Sequence, residues 1–585
     1  MTEKQFRWCA VALIVFAAIL AYANTFTSDF VWDDASSILL HEDVKNPANV
    51  IQLFLKDQHP FGRGQGNFYR PLVSLTFMIE YWLSKPAEAV EGAPAPLQLL
   101  SPFLFHVGNT LWHALVAVLM FAFMTQLDAP RFVRLLAPLV YVVHPLHTEA
   151  VAYISGRADS MAAAFALAAL CAAFSTRSKM PVLWCGLFFA CALLSKESAI
   201  IFPFVLLLAY VLLKKEAVTT EEAPPRRSLL ASLIVSGVLV GVYGALRFTV
   251  LNFSEESSST TTALSQRLLE AGQAFALYLK LIFIPLNLHM ERTLNGVPAW
   301  LSIAGWISLL LLVLVIGAAY FANKKRIAFG LCFFLLTWFP ISGIFPLNAP
   351  MAEHWLYLPL IGFTWAFFEI LWLLVGKTPL RYPTYAAAYV VVLLLVLATT
   401  TRNHDWRDNQ TLYLATLREN PDSLRVHFNL AVTYEDLLNN SSGARRQYER
   451  VLELHQARKA QADNPAVSGV FYDDEMESHL SLARIYAKEN LPDRAQAHFE
   501  VLRRLNLTDK NAAILSRTYL EYAQLLVQMG RGEDANKILQ EGGERIPALK
   551  EQIESVQKSA AAANAASASA PPAGTQPEPQ PNATE

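Results

Sequence analysis

The chain has 585 residues, 54% of them hydrophobic and 16% charged, with a net charge of −2. That is too apolar for a soluble protein of this length, and long apolar runs return every ~20 to 40 residues, the pattern of a polytopic membrane protein. Its basic residues form short clusters between the runs and no patch, which excludes a nucleic-acid surface; its five cysteines, Cys9, Cys171, Cys185, Cys191 and Cys332, lie in apolar runs without a Cys-x-x-Cys pair, which argues against disulfides and thiolate metal sites.

The first run, 8–26, has a basic start but no small-x-small cleavage site before Thr25, so it reads as a retained span. Further spans are predicted at 103–126, 132–147, 159–175, 181–195, 198–213, 229–249, 300–321, 327–345, 355–375 and 383–401. Lys4 with Arg7, Arg131 with Arg134, Arg177 with Lys179, the 214–227 cluster, Lys324 to Arg326, and Lys377 with Arg381 fall in alternate loops. The positive-inside rule puts these in the cytoplasm and the loop after the first span outside. Residues 267–285 are apolar enough to cross, but a crossing would move the Lys324–Arg326 cluster outside. Arg267, Glu270, Gln273, Lys280 and Pro285 favour a helix lying in, or dipping into, the interface. About eleven spans result, with the C-terminal part outside; a twelfth would put that part in the cytoplasm.

The first outer loop, 27–102, carries Trp32, Phe54, Phe61, Phe68, Tyr69, Phe77, Tyr81 and Trp82 among polar residues and is expected to pack on the membrane surface as short amphipathic helices. It opens with FVWDD, 30–34. The adjacent carboxylates Asp33 and Asp34 sit at headgroup level, where a charge is cheaper than at the bilayer centre, and are read as an acid–base centre. A Trp-Asp-Asp turn is also what an interfacial anchor looks like.

Other charges recur beside outer span ends: Arg70, Arg157 and Asp159 in GRAD, Lys196 and Glu197 in SKES, and Glu353 and His354 in AEHW. Singly each reads as a snorkelling end-cap; together they describe a pocket of both signs, with Arg and Lys suited to a phosphate. His144, His147 and Glu149 have metal-triad spacing, while His106, Asn109 and His113 share a helix face as interhelical hydrogen-bonding residues do. No cofactor is firmly implied, and a divalent metal stays open. No Gly-rich phosphate loop, nucleotide fingerprint or Ser-His-Asp ordering appears, so no soluble nucleotide donor is indicated.

Beyond Thr401 amphipathic helices replace the apolar runs. Leu482, Ala483, Tyr486, Ala495, Phe499 and Leu502 have tetratricopeptide spacing; Leu430, Ala431, Tyr434, Ala444, Tyr448 and Val451 repeat it with one residue inserted, and Tyr522, Ala523, Leu526, Ala535, Leu539 and Pro547 form a looser copy. The reading is therefore an all-α chain: a transmembrane domain over 1–401, a tetratricopeptide-like domain over 402–557, and an Ala/Pro-rich disordered tail over 558–585.

FVWDD, FYRPL (68–72), FHVGNTLWH (105–113), HPLHTEAVAYISGRAD (144–159), KES (196–198) and AEHWLYLPLIGF (352–363), with repeats beginning soon after Trp406, resemble the transmembrane and TPR repeat-containing (TMTC) protein O-mannosyltransferases and, more broadly, the GT-C glycosyltransferases. The chain departs from that family in having His354 where the family has Arg, and fewer repeats. The resemblance implies a polyprenyl-phosphate sugar donor, an exported acceptor protein held by the repeats, Asp33 as general base beside Asp34, inversion at the sugar, and Arg157 and Lys196, then Arg70, at the donor phosphate. Short loops and the Ala/Pro-rich tail suggest a bacterial relative in the inner membrane, with the site on the periplasmic face and a sugar that need not be mannose. A lipid or polysaccharide acceptor, or a non-catalytic scaffold, are the competing readings.

Overall fold

The computed structural model describes residues 1–58, 68–84, 100–213, 226–251, 263–294, 296–347, 349–461, 472–509 and 511–554, and every regular element among them is helical. The expected tail, the polar 252–262 loop and parts of the first outer loop lie outside the described residues. The chain divides into two units, Met1–Pro421 and Asp422–Glu585.

Among the described residues of the first unit six helices are long and apolar enough to cross a membrane, within 3–27, 103–126, 154–173, 227–248, 300–321 and 381–406, and Pro181–Leu193, Glu197–Leu213 and Pro359–Val375 are shorter apolar helices. The spans read at 132–147 and 327–345 are the short helices Arg131–Val142 and Lys325–Trp338. Only 11% of the Trp300–Phe321 window is buried inside the protein, against 67% for Ile154–Ala173. The first therefore turns its apolar face outward, as a lipid-facing helix does, and the second is enclosed by its neighbours.

Small residues set those close packings. The Arg157–Ala173 helix buries Ala158, Ala162, Ala163, Ala164, Ala169 and Ala173 against the Phe103–Gln126 and Pro181–Leu193 helices. Lys325–Trp338 and Pro359–Val375 meet at Gly330 and Gly362, where a Cβ on Gly330 would come within 2.7 Å of the Gly362 carbonyl oxygen. Residues 264–283 form one helix whose Ala271, Gly272, Ala274, Phe275 and Tyr278 are buried, and a Cβ on Gly272 would lie 2.7 Å from the backbone of Ser302. Despite its length this helix is not among those apolar enough to cross.

The described part of the first outer loop folds as short helical turns followed by the helix Pro71–Ser84. Ile38, Val44, Leu53, Val73 and Phe77 build a small core there against Phe105, Ile154 and Met161. The loop is thereby fixed to the N-terminal ends of two long helices.

The unit continues beyond the last span. Asp29 N–H donates to the Arg407 carbonyl at 2.8 Å, Trp32 N–H donates to Asn409 Oδ1 at 2.9 Å, and the Trp32 ring packs on Tyr413. These contacts keep the helix Asn409–Glu419 with the first unit, which runs to Pro421.

The second unit consists of helical hairpins: Leu424–Val432 with Ser441–Gln461, Asp473–Lys488 with Pro492–Arg503, and Ala512–Gln528 with Gly532–Arg545. Of the residues marked by the repeat spacing, Ala431, Ala444, Tyr448, Ala483, Tyr486, Ala495, Phe499, Tyr522, Ala523 and Ala535 are buried in one core, while Val451 belongs to a smaller cluster and Pro547 is exposed. The small ones admit the partner helix, and the large ones fill the groove to the next hairpin.

The Gly330–Gly362 contact predicts that Gly362→Val destabilises the protein by about 1–3 kcal/mol or more through overpacking. Gly317→Ala, at a helical position where a Cβ meets nothing, should be neutral or stabilising by about 0.5–1 kcal/mol. Thermal unfolding of the two variants in one detergent checks the contrast.

Candidate functional site

The FVWDD segment leaves the Glu3–Tyr22 helix through a 3-10 turn, Ala23–Thr27. At Trp32 the backbone turns into the left-handed region, φ 53°, an uncommon conformation for a bulky residue. The turn sends the two carboxylates to different surroundings. Asp34 is fully buried: its Oδ2 accepts from Val31 N–H at 3.0 Å, and its Oδ1 accepts from Ser155 N–H at 2.8 Å and Ser155 Oγ–H at 2.6 Å. Asp33 is exposed, and its side chain engages the Tyr153 phenol. Burial pushes the Asp34 carboxyl up to about 7, with the neighbouring Asp33 charge adding to the rise and the Ser155 and Val31 donors opposing it.

The cations predicted to meet a phosphate divide in the same way. Arg157 is fully buried. Its Nη1 pairs with Glu80 at 2.6 Å and donates to Thr76 Oγ1, its Nε donates to Asn109 Oδ1, and its Nη2 donates to the Phe105 carbonyl. Each guanidinium nitrogen is engaged within the protein. Arg70 pairs with Glu197 at 2.9 Å, Lys196 pairs with Asp159 at 2.7 Å, and all four side chains are partly accessible. Tyr153, which touches Asp33, also lies within electrostatic reach of Arg70.

A second charged cluster joins the 144–157 segment to the 351–356 segment. Glu149 accepts from the His354 N–H at 3.0 Å and pairs with His354 Nδ1 at 2.8 Å; these contacts hold the Glu149 carboxyl below its ordinary value although burial alone would raise it. Glu353 is buried, pairs with Arg292 at 2.7 Å, accepts from His289 N–H at 2.6 Å and stands 3.5 Å from Arg402. Burial holds its carboxyl above the usual range against the pull of Arg402 and Arg292.

The metal-like spacing of His144, His147 and Glu149 is not realised as a cluster. His144 Nε2 faces the Ile282 carbonyl at 3.0 Å, His147 packs among Tyr141, Tyr357 and His113, and Glu149 is taken up by His354. Among the described residues no group of three or more His, Cys, Asp or Glu is placed to hold a metal ion.

Sequence reasoning missed Glu80, Tyr153, Arg292, Arg402 and Trp406. Glu80 carried a usable signal, a single carboxylate in the otherwise apolar PLVSLTFMIEYWLS helix. Nothing in the local sequence singles out Arg292 and Arg402, and only the fold brings them to Glu353.

No family model and no solved structure matches the chain. Several characterised proteins do. The chain is 24% identical over 539 residues to the protein O-mannosyl-transferase TMTC3 of Mus musculus, covering 85% of this chain and 54% of that protein. It is 26% identical over 495 residues to TMTC4 of Homo sapiens, covering 73% and 64%, and 24% identical over 440 residues to the protein O-mannosyl-transferase F38B6.6 of Caenorhabditis elegans, covering 72% and 60%. The chain thus spans a little over half the length of the curated relatives it matches. By sequence it is a relative of the TMTC protein O-mannosyl-transferases.

Proposed function

We propose that the chain is a membrane glycosyltransferase that moves a hexose from a polyprenyl-phosphate carrier to a Ser or Thr hydroxyl of an exported protein. Asp33 takes the hydroxyl proton as the oxygen attacks the anomeric carbon. The carbon–oxygen bond to the lipid phosphate breaks with inversion, and the phosphate leaves as an anion. The observation that carries the reading is the pairing of an exposed Asp33 with a buried Asp34 on one turn, with the Tyr153 phenol against Asp33. One carboxylate anchors the segment, and the other stands exposed beside the Tyr153 phenol, where a substrate hydroxyl can reach it.

Lys196 and Arg70 are the cations for the leaving phosphate, whose developing charge fixed positive groups stabilise. Arg157, its nitrogens engaged internally, acts by positioning the loop that carries Glu80. A narrow slot lined by Ala162, Ala163, Ala166, Leu170 and Val205 starts at Asp159, the partner of Lys196. Its apolar lining, which also includes Phe202 and Phe333, suits the first isoprene units of a carrier lipid whose phosphate rests at Lys196. The second unit, read as tetratricopeptide-like, supplies the peptide-binding function. The eleven-span topology, with this site on the periplasmic face of a bacterial inner membrane, completes the proposal.

Intact-mass spectrometry of exported proteins tests it. Cells lacking the gene, or carrying Asp33→Asn that inserts normally, should both lose a hexose-sized mass on one or a few proteins, with turnover down ~10²–10⁴-fold in the variant. An unchanged exported proteome in the deletion strain moves the acceptor to a lipid or polysaccharide. Full function in Asp33→Asn sinks the catalytic assignment.

The Asp34 carboxyl titrates at about 7 in the folded protein against an ordinary 3.8. A carboxyl raised by folding loses stability as the pH climbs from its unfolded to its folded value. Relative to Asp34→Asn, the wild-type protein should therefore lose melting temperature between about pH 4 and pH 7 and run parallel above. Melting curves across that range check the slope.

A further inference from the structure

Next to the Asp33 site lies a set of buried polar atoms that the proposed reaction has not yet used. Glu353, Arg402 and Trp406 are 1%, 6% and 2% exposed. Each side chain is half engaged. Glu353 Oε1 is held by Arg292 and His289, while its Oε2 has no hydrogen-bond partner among the described residues. Arg402 Nη1 donates to Asp405 at 2.8 Å, while its Nε and Nη2 have none. The Trp406 indole Nε1 likewise has none. Glu353 Oε2 and Arg402 Nη2 stand 3.5 Å apart, too far for a good hydrogen bond. Buried polar groups are almost always satisfied, so several in one place mark a site that something else completes.

The cluster is tied to the reaction centre by one residue. The Tyr153 ring stacks on Trp406 with centroids 5.5 Å apart and planes 27° apart, and its phenol engages Asp33. Trp406 is approached from another side by the Arg402 guanidinium, 5.9 Å from the ring centroid. The unused atoms are N–H donors on Arg402 and Trp406 and an acceptor on Glu353. A phosphate offers acceptors alone, and Glu353 Oε2 would repel it. A pair of sugar hydroxyls both donates and accepts, and so can satisfy the guanidinium, the indole and the carboxylate together.

We propose that Glu353, Arg402 and Trp406 form the subsite for the hydroxyls of the transferred hexose, with Tyr153 standing between that subsite and Asp33. The inference rests on the transferase reading above and names the group that selects its sugar.

The test is direct binding to the full-length protein in nanodiscs, using polyprenyl-phosphate mannose, polyprenyl-phosphate glucose and sugar-free polyprenyl phosphate as probes. Trp406→Phe keeps the ring and removes only the indole N–H; Glu353→Gln keeps the shape and removes the charge. Each should weaken a hexose-bearing lipid by about three- to ten-fold, the loss of one or two hydrogen bonds, and leave the sugar-free lipid unchanged. Equal weakening of all three lipids, or of none, overturns the subsite while the transferase reading stands. Wild-type protein that binds neither hexose lipid overturns both. Melting temperatures of the variants guard against misfolding, and if Glu353→Gln does not fold, Trp406→Phe alone decides.

Discussion

The packing of the first unit around the 144–159 segment depends on a buried guanidinium. Arg157 opens its helix with no exposed surface, and a buried cation is tolerated only when a counter-charge and hydrogen bonds replace the water it has lost. Glu80 supplies the charge from the first outer loop, and Asn109 with the Phe105 carbonyl supplies acceptors from the long 103–126 helix. Three segments distant in sequence are thereby locked at one point. Gly108 makes the lock possible: a Cβ there would press on Glu80 Oε1 and come within 3.0 Å of Arg157 Nη2. Losing either charge would strand the other in the interior.

From that point the site is assembled by short tethers. Ser155, just ahead of Arg157, holds Asp34, and Asp34 in turn fixes the turn that exposes Asp33. Tyr153, two residues earlier, reaches Asp33 with its phenol and Trp406 with its ring. The HPLHTEAVAYISGRAD stretch thus works as a spine to which the first loop, the end of the last span and the Glu353 segment all attach. Its histidines serve packing and backbone hydrogen bonds, while its Glu149 anchors His354. The charges that remain accessible, Asp33, Lys196 with Asp159, and Arg70 with Glu197, border the enclosed network and are open to solvent.

Each charged residue has a division of labour that chemistry enforces and spacing does not reveal. Asp33 and Asp34 are neighbours of one type, yet the left-handed turn at Trp32 buries one and exposes the other. Arg157 and Lys196 both read as phosphate cations, yet one is enclosed by acceptors and the other pairs with Asp159 and stays partly accessible. His144 and His147 have the spacing of ligands, but a proline-led 3-10 turn between them directs one to the Ile282 carbonyl and the other into an aromatic box.

The sequence by itself determined the helical class, the apolar segments and the repeat spacing in the C-terminal unit, because each is a local periodicity of hydrophobicity or of small and large residues. It also marked the segments that form the site, since FVWDD and HPLHTEAVAYISGRAD place unusual polar residues at span ends. Only the tertiary structure decided which charges are enclosed and which are open, that Glu80 belongs to Arg157, that Arg292 and Arg402 meet at Glu353, and that the first unit extends to Pro421. Those outcomes depend on pairings between segments tens to hundreds of residues apart, and on burial, which sets whether a charge must be satisfied from within. No local pattern encodes either.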